Sequence, residues 1–254
     1  MTHRSIGQRS IGFLGKYWGI IGVLLLWQGW IWVKDLNAIV MPQPFDVVKD
    51  LVTHPGIYIS NAALTLTLAA LGLVLGMALG TLIAVLAWTS RLLSGVLIPL
   101  GLIFSSVPVV ALIPILARLL GYDVKTVLAI VVIISFFPAF VFTSAGLRAL
   151  PAGSDDLFRV FGASPWQRFV RLVLPSAVPS WMIALRLSAP PAVLSAMVAE
   201  FLMGTSGLGY MFRQSAADFQ TDRAFGTSVV ATAISVLCFT LATLAERRVN
   251  ARWS

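Results

Sequence analysis

Arg186 and Glu200 both fall inside the otherwise uncharged stretch 179–204. A charge within a membrane-length apolar segment is costly and usually functional. Glu200 would pair with another segment or take part in gating. Arg186 would either contact an anion or reach the headgroup region by snorkelling. The two lie 14 residues apart, roughly 21 Å along a helix at ~1.5 Å per residue, so they do not pair with each other on one helix. Ser105 and Ser106 precede Pro108, and Ser135 precedes Pro138. These hydroxyls either line a pathway or satisfy carbonyls that the prolines leave without donors.

Catalytic chemistry is otherwise thin. The one cysteine, Cys238, sits in an apolar run and reads as a small core hydrophobe. His3 and His54 have no His, Cys or Glu neighbour, so no metal site is expected. Gly15-Lys16 resembles the end of a phosphate-binding loop, but Ser10 stands where its first Gly belongs and Tyr17 where Ser or Thr belongs. Neither a zinc-protease His pair nor a nucleophile elbow occurs. The chain is expected to bind no cofactor and to be no enzyme, so uphill work must draw on a partner or an ion gradient.

Composition shows what surrounds those residues. Of 254 residues, 58% are hydrophobic and only 11% charged, and the mean hydropathy is +0.91. A water-facing domain carries about a quarter charged residues, so this is an integral membrane protein. The net charge of +8 is scattered between apolar runs rather than gathered in a stripe, which argues against nucleic acid. Six segments are long and apolar enough to be read as all-α spans, at 17–33, 63–88, 96–119, 126–147, 179–204 and 226–245. Trp27, Trp30 and Trp32 mark the first as a retained helix with an interfacial belt rather than a cleaved leader.

Six spans put both termini on one side of the membrane. That side collects eleven Lys and Arg against three acids, and the other side balances to zero. The termini and the loop 148–178 are therefore expected to be cytoplasmic. Gly72, Gly76, Gly80 and Ala84 repeat every four residues, which lines small residues along one helix face for close packing. Pro99, Pro108, Pro114, Pro138, Pro190 and Pro191 are expected to kink or break their helices, an irregularity that suits a gated pathway.

Outside the spans, Met41-Pro42-Gln43-Pro44 leads into a short amphipathic helix with Phe45, Val48, Leu51 and Val52 at helical spacing. Gly204-Thr205-Ser206-Gly207-Leu208-Gly209-Tyr210 reads as a flexible connection. The loop 148–178 is the most informative. Asp155 and Asp156 open a helix, Gly162-Ala163-Ser164-Pro165 breaks and restarts it, and Ser164 caps the second helix with Pro165 in its first turn. Apolar side chains on this basic hairpin suggest a surface for another protein.

At this loop the chain resembles the inner-membrane permease subunits of bacterial ATP-binding-cassette importers. Their signature is Glu-Ala-Ala, three residues, Gly, nine residues, then Ile-x-Leu-Pro. Here it reads Asp156-Leu157-Phe158, Gly162, then Leu172-Val173-Leu174-Pro175, with the spacing kept and the leading triplet altered. Met41-Pro42-Gln43-Pro44 is similar to the family's entry to its periplasmic helix. Ala199-Glu200 with Ser206-Gly207-Leu208-Gly209-Tyr210 is similar to the subgroup that serves sulfonates, taurine, nitrate and thiamine-precursor pyrimidines.

The resemblance implies a permease in the bacterial inner membrane. Its parts would be a cytoplasmic N-terminus (1–16), a first span with the periplasmic helix (17–62), a core of five spans (63–245) and a cytoplasmic tail (246–254). Asp156, Leu157, Phe158, Gly162, Ala163, Ser164, Pro165, Leu172, Leu174 and Pro175 would form the loop that couples to a cytoplasmic ATPase dimer. Other implied partners are a second copy of the permease, membrane lipid and a periplasmic or lipid-anchored solute-binding protein, with ATP held by the ATPase. Two rivals remain. A gradient-driven secondary transporter would use Arg186 and Glu200 as coupling charges. A multispan enzyme would need clustered acids or histidines that the sequence lacks.

Overall fold

The structure is a computed structural model that describes residues 6–252, with the side chains of 6–17, 102, 104 and 105 outside the description. Its helices are α1 (Ile6–Lys34), α2 (Pro44–Thr53), α3 (Pro55–Thr89), α4 (Arg91–Ser105), α5 (Val109–Leu120), α6 (Val124–Gly146), α7 (Ser154–Val160) and α8 (Pro165–Arg168). A π-helical turn, Phe169–Val173, joins α8 to α9 (Leu174–Met203), and α10 (Leu208–Ala217) and α11 (Thr221–Asn250) follow. No strand occurs among the described residues.

Four helices among the described residues are long and apolar enough to cross a membrane: α3, α6, the continuous run Pro165–Met203, and α11. Six were expected. The expected span 96–119 is broken into α4 and α5, of 15 and 12 residues. At 1.5 Å per residue these reach roughly 22 and 18 Å, short of the ~30 Å hydrocarbon core. The break lies at Ser106–Pro108, where Pro108 supplies no donor and steers Val107 away from helical geometry. Pro99, Pro114, Pro138, Pro190 and Pro191 all remain inside helices. Neighbouring segments in a bundle let a helix keep an interior proline. The first expected span, 17–33, falls within α1, which runs for 29 residues.

The centre of the bundle is α3 against α6 and α6 against α9. The four-residue glycine repeat explains the first contact. A Cβ on Gly76 would meet the Val132 carbonyl at 2.6 Å and the Ser135 Cβ at 2.7 Å, and one on Gly80 would meet the Ala139 Cβ at 2.7 Å. Only hydrogen at these positions lets the backbones approach, which is how helices associate in lipid without a hydrophobic driving force. Leu68, Ile130, Val131, Val193 and Ala196 fill the space between the three helices and are nearly or fully buried. At its start, α6 is capped by the Asp123 carboxylate, which accepts from the Lys125 N–H at 2.9 Å, after Gly121 turns the chain at φ +99°.

Candidate functional site

The hairpin that precedes α9 is built as its sequence suggests. α7 begins at Ser154 with Asp155 and Asp156 in its first turn, and Gly162 turns the chain at φ +68°. A left-handed residue costs little for glycine and more for most others. Ser164 then accepts from the Gln167 N–H, while the Gln167 side chain accepts from the Ser164 N–H, closing a capping box over α8. Asp155, rather than Asp156, ties the two helices together through Arg168 at 2.6 Å, and within its own helix it pairs with Arg159 at 3.1 Å. Asp156 is exposed.

The apolar residues of the hairpin point outward. Val160 is 83%, Phe161 78% and Trp166 70% exposed. Phe158, Ala163 and Leu172 are half-buried, and Leu157 and Leu174 are exposed. Trp166 packs at a tilt against Phe169, with ring centroids 5.8 Å apart, and Phe169 leans at 5.2 Å on Trp88 at the end of α3. A groove of about 590 Å³ between this aromatic row and α3 is lined by Val85, Thr89, Pro165 and Arg168 as well.

At the other end of α9 the chain turns around Glu200. This carboxyl is 1% exposed, and its Oε2 accepts from the Thr65 hydroxyl at 2.8 Å and the Gly209 N–H at 3.0 Å. The Leu208 N–H donates to the Thr65 hydroxyl at 2.9 Å, and the Gly207 N–H to the Asn61 carbonyl oxygen at 3.0 Å. α10 has no local side-chain cap. Its first free N–H groups are met instead by Thr65 on α3 and Glu200 on α9, and the acid lies where the helix dipole favours negative charge. The loop expected to be flexible is thus tightly enclosed: Gly204, Gly207, Leu208 and Gly209 are all buried.

The other candidates separate widely. Arg186 pairs with Glu246 on α11 at 3.0 Å, which engages its guanidinium within the bundle. Ser135 packs against Gly76 with its hydroxyl fully buried. Ser106 lies at the exposed α4–α5 break, and the Ser105 side chain is outside the described residues. One constellation is not apparent from the sequence pattern. Asp50, on the buried face of α2, accepts from the Tyr58 hydroxyl at 2.5 Å and from Arg223 of α11 at 3.0 and 3.3 Å, with His54 Nδ1 at 3.0 Å. Burial pushes the Asp50 carboxyl up, but the hydrogen bonds from Arg223 and Tyr58 outweigh it and hold the group below its ordinary value. Its sequence signal is faint: Asp50 follows Val47 by three residues, on the same inward face.

Residues 72–254 match the family described as binding-protein-dependent transport system inner membrane component. The chain belongs to this family. Relatives include a probable ABC transporter permease of Haemophilus influenzae, 32% identical over 87% of this chain and 90% of that protein. The formylaminopyrimidine transport permease ThiX of Halalkalibacterium halodurans is 30% identical over 78% of this chain and 80% of its own length. The putative aliphatic sulfonates transport permease SsuC of Bacillus subtilis is 28% identical, with coverages of 89% and 83%. In fold, the chain is similar to the MetNI methionine ABC transporter, with a TM-score of 0.63 at 20% identity, covering 77% of this chain and 95% of that one. It is also similar to a bacterial ABC transporter involved in alginate import, with a TM-score of 0.63 at 16% identity, covering 94% and 99%.

As an ABC importer permease the protein is a multi-pass membrane component of transport rather than an enzyme. The matched region begins inside α3 and takes in both corners of α9. It also contains an apolar cavity of about 580 Å³ between α3 and α9, where the Trp181 indole N–H donates to the Thr81 hydroxyl at 2.9 Å. Leu73, Met77 and Leu185 supply its walls. Among the described residues no charged side chain lines it, so it offers nothing to balance an anion.

Proposed function

We propose that this permease is the translocation half of an ATP-driven importer for a small anionic or heterocyclic solute, of the sulfonate, taurine, nitrate or pyrimidine-precursor kind. The loop 148–178 and both termini lie on the cytoplasmic side, as the Lys and Arg bias asks. The division into 1–16, 17–62, a core at 63–245 and a tail at 246–254 is part of the same reading. A cytoplasmic ATPase dimer seats the α7–α8 hairpin, and ATP stays on that partner. A second copy of the chain completes the pathway, and a periplasmic or lipid-anchored binding protein delivers the solute. Closure of the ATPases would push on the two hairpins and alternate access between the two sides. The relatives named for formylaminopyrimidine and aliphatic sulfonates support the solute classes.

One observation carries the reading. A hairpin of two short helices is stapled from within by Asp155, Arg159 and Arg168, yet presents Phe161 and Trp166 to solvent. Internal order with external apolar surface is the mark of a docking element. A secondary carrier is less well supported, because Arg186 and Glu200 are already engaged with Glu246, Thr65 and Gly209.

The test is a tagged pull-down from mild detergent, with co-purifying proteins identified by mass spectrometry. An ATPase bearing a phosphate-binding loop should be recovered with the wild type and lost with Gly162→Asp. A Cβ at Gly162 meets no atom within 4 Å, and Asp is tolerated in the left-handed region better than most residues. Loss would therefore report a changed docking face rather than an unfolded chain. Recovery of the permease alone, with ATP-independent uptake, would overturn the reading.

A further inference from the structure

Three glycines surround one acid at the far end of α9. A Cβ on Gly204 would meet Glu200 Cα at 2.7 Å, one on Gly209 would meet Glu200 Cβ at 2.8 Å, and one on Gly207 would run into the Glu200 carboxyl itself. Gly207 also holds φ +95°, so this turn requires glycine for both space and backbone. The result is a clasp of three elements. α9 supplies Glu200, α3 supplies Asn61 and Thr65 on adjacent turns, and the start of α10 supplies three N–H donors. Thr65 is fully buried, as is Leu208.

We infer that Glu200 is a positioning residue that pins the turn 204–209 to α3, so that α3, α9 and α10 move as one rigid corner. Opening the clasp would strand a buried carboxyl and the leading N–H groups of α10 and leave the Thr65 hydroxyl only the Asn61 carbonyl of its own helix at 3.1 Å, and each unmet group carries a desolvation penalty. The use made of that rigidity rests on the importer reading. If access alternates, the outer ends of α3 and α9 travel together, and the opening must fall elsewhere in the assembly.

Hydrogen–deuterium exchange tests the pin on the full-length permease in lipid nanodiscs, without any need to know the solute. Peptides covering 204–211 should exchange at least ~100-fold more slowly than an open chain. Glu200→Ala should speed that exchange about 30-fold, since the Gly209 N–H loses its acceptor and Thr65, left with the Asn61 carbonyl, no longer ties α3 to α9. Glu200→Gln keeps an acceptor oxygen and should recover most of the protection. Unprotected amides in the wild type, or equal protection in Glu200→Ala, would overturn the pin. Repeating the measurement on the complex with its ATPase, nucleotide-free and vanadate-trapped, tests rigidity through the cycle. Protection in both states is expected, and its loss in either would overturn the rigid corner. Failure to find an ATPase would count against the importer reading alone, because exchange in nanodiscs decides the pin without any partner.

Discussion

The two ends of α9 turn the chain in opposite ways. At one end, Glu200 sits inside the protein and meets the Gly209 N–H, which would otherwise go unbonded, and the glycines around it remove every side chain that could intervene. At the other, Asp155 works near the surface among arginines, and the helices it joins leave Phe161 and Trp166 in solvent. A corner that must hold its shape buries its polar contacts, where the penalty for breaking them is high. A corner that must be grasped keeps its apolar groups outside and uses surface ion pairs, each of small net energy, for its own internal order.

The sharpest way to break the comparison is Gly209→Ala. An added methyl group would collide with the Met197 carbonyl and approach the Phe201 N–H at 2.6 Å, both backbone atoms of α9. Backbone cannot yield as a flexible side chain can. The expected cost is about 4 kcal/mol or more, in the range of severe overpacking. Gly162→Ala, at the exposed corner, should cost only about 1 kcal/mol for its left-handed backbone. Thermal unfolding of the two variants in the same detergent checks the contrast. Equal losses would mean that the corners are not built differently.

A second effect is expected at Asp50, the carboxylate that joins α2 and the start of α3 to α11. Its carboxyl is held below the ordinary value, so it binds protons less readily in the fold than in the unfolded chain. The stabilisation it gives is therefore complete above the unfolded pKa of ~3.9 and is lost as pH falls through the lower folded value. Asp50→Asn should lower stability by about 2 kcal/mol at neutral pH, where Arg223 loses its counter-charge. That difference should shrink below about pH 4. Unfolding midpoints of both proteins across roughly pH 3 to 7 check the sign, and a gap that widens on acidification would refute it.

These features differ in how far the sequence discloses them, and the distance between partners explains why. Gly72, Gly76 and Gly80 declare a packed face because the pattern is complete within one helix. Ser164, Pro165 and Gln167 declare a helix start for the same reason, and the structure closes that capping box. Proline is ambiguous. Pro108 breaks its segment while Pro138 and Pro190 do not, and the deciding factor, which segments enclose the proline, is not local. Glu200 is visible in sequence as an anomaly, but its partner Thr65 stands 135 residues away. The carboxyl alone therefore reads equally as a partner for another segment or as a gating group, and the loop beside it as flexible. Asp50 and Arg223, 173 residues apart, show in sequence only as opposite charges on the balanced side.

The smallest expected change in stability is at Trp166, and it is the one that bears on function. Its ring is 70% exposed and touches Phe169 along one side, so Trp166→Ala removes little buried area. Stability should move by less than about 1 kcal/mol. If the hairpin is the docking element, the same change removes a large aromatic of the kind that dominates interface energetics, and ATPase affinity should fall at least ~10-fold. Binding of the purified permease to its ATPase, measured beside a melting curve, separates the two. A protein that melts normally and binds poorly identifies Trp166 as surface kept for a partner. One that binds normally would move the interface off this aromatic row and toward Leu157 and Val160, on the other helix of the hairpin.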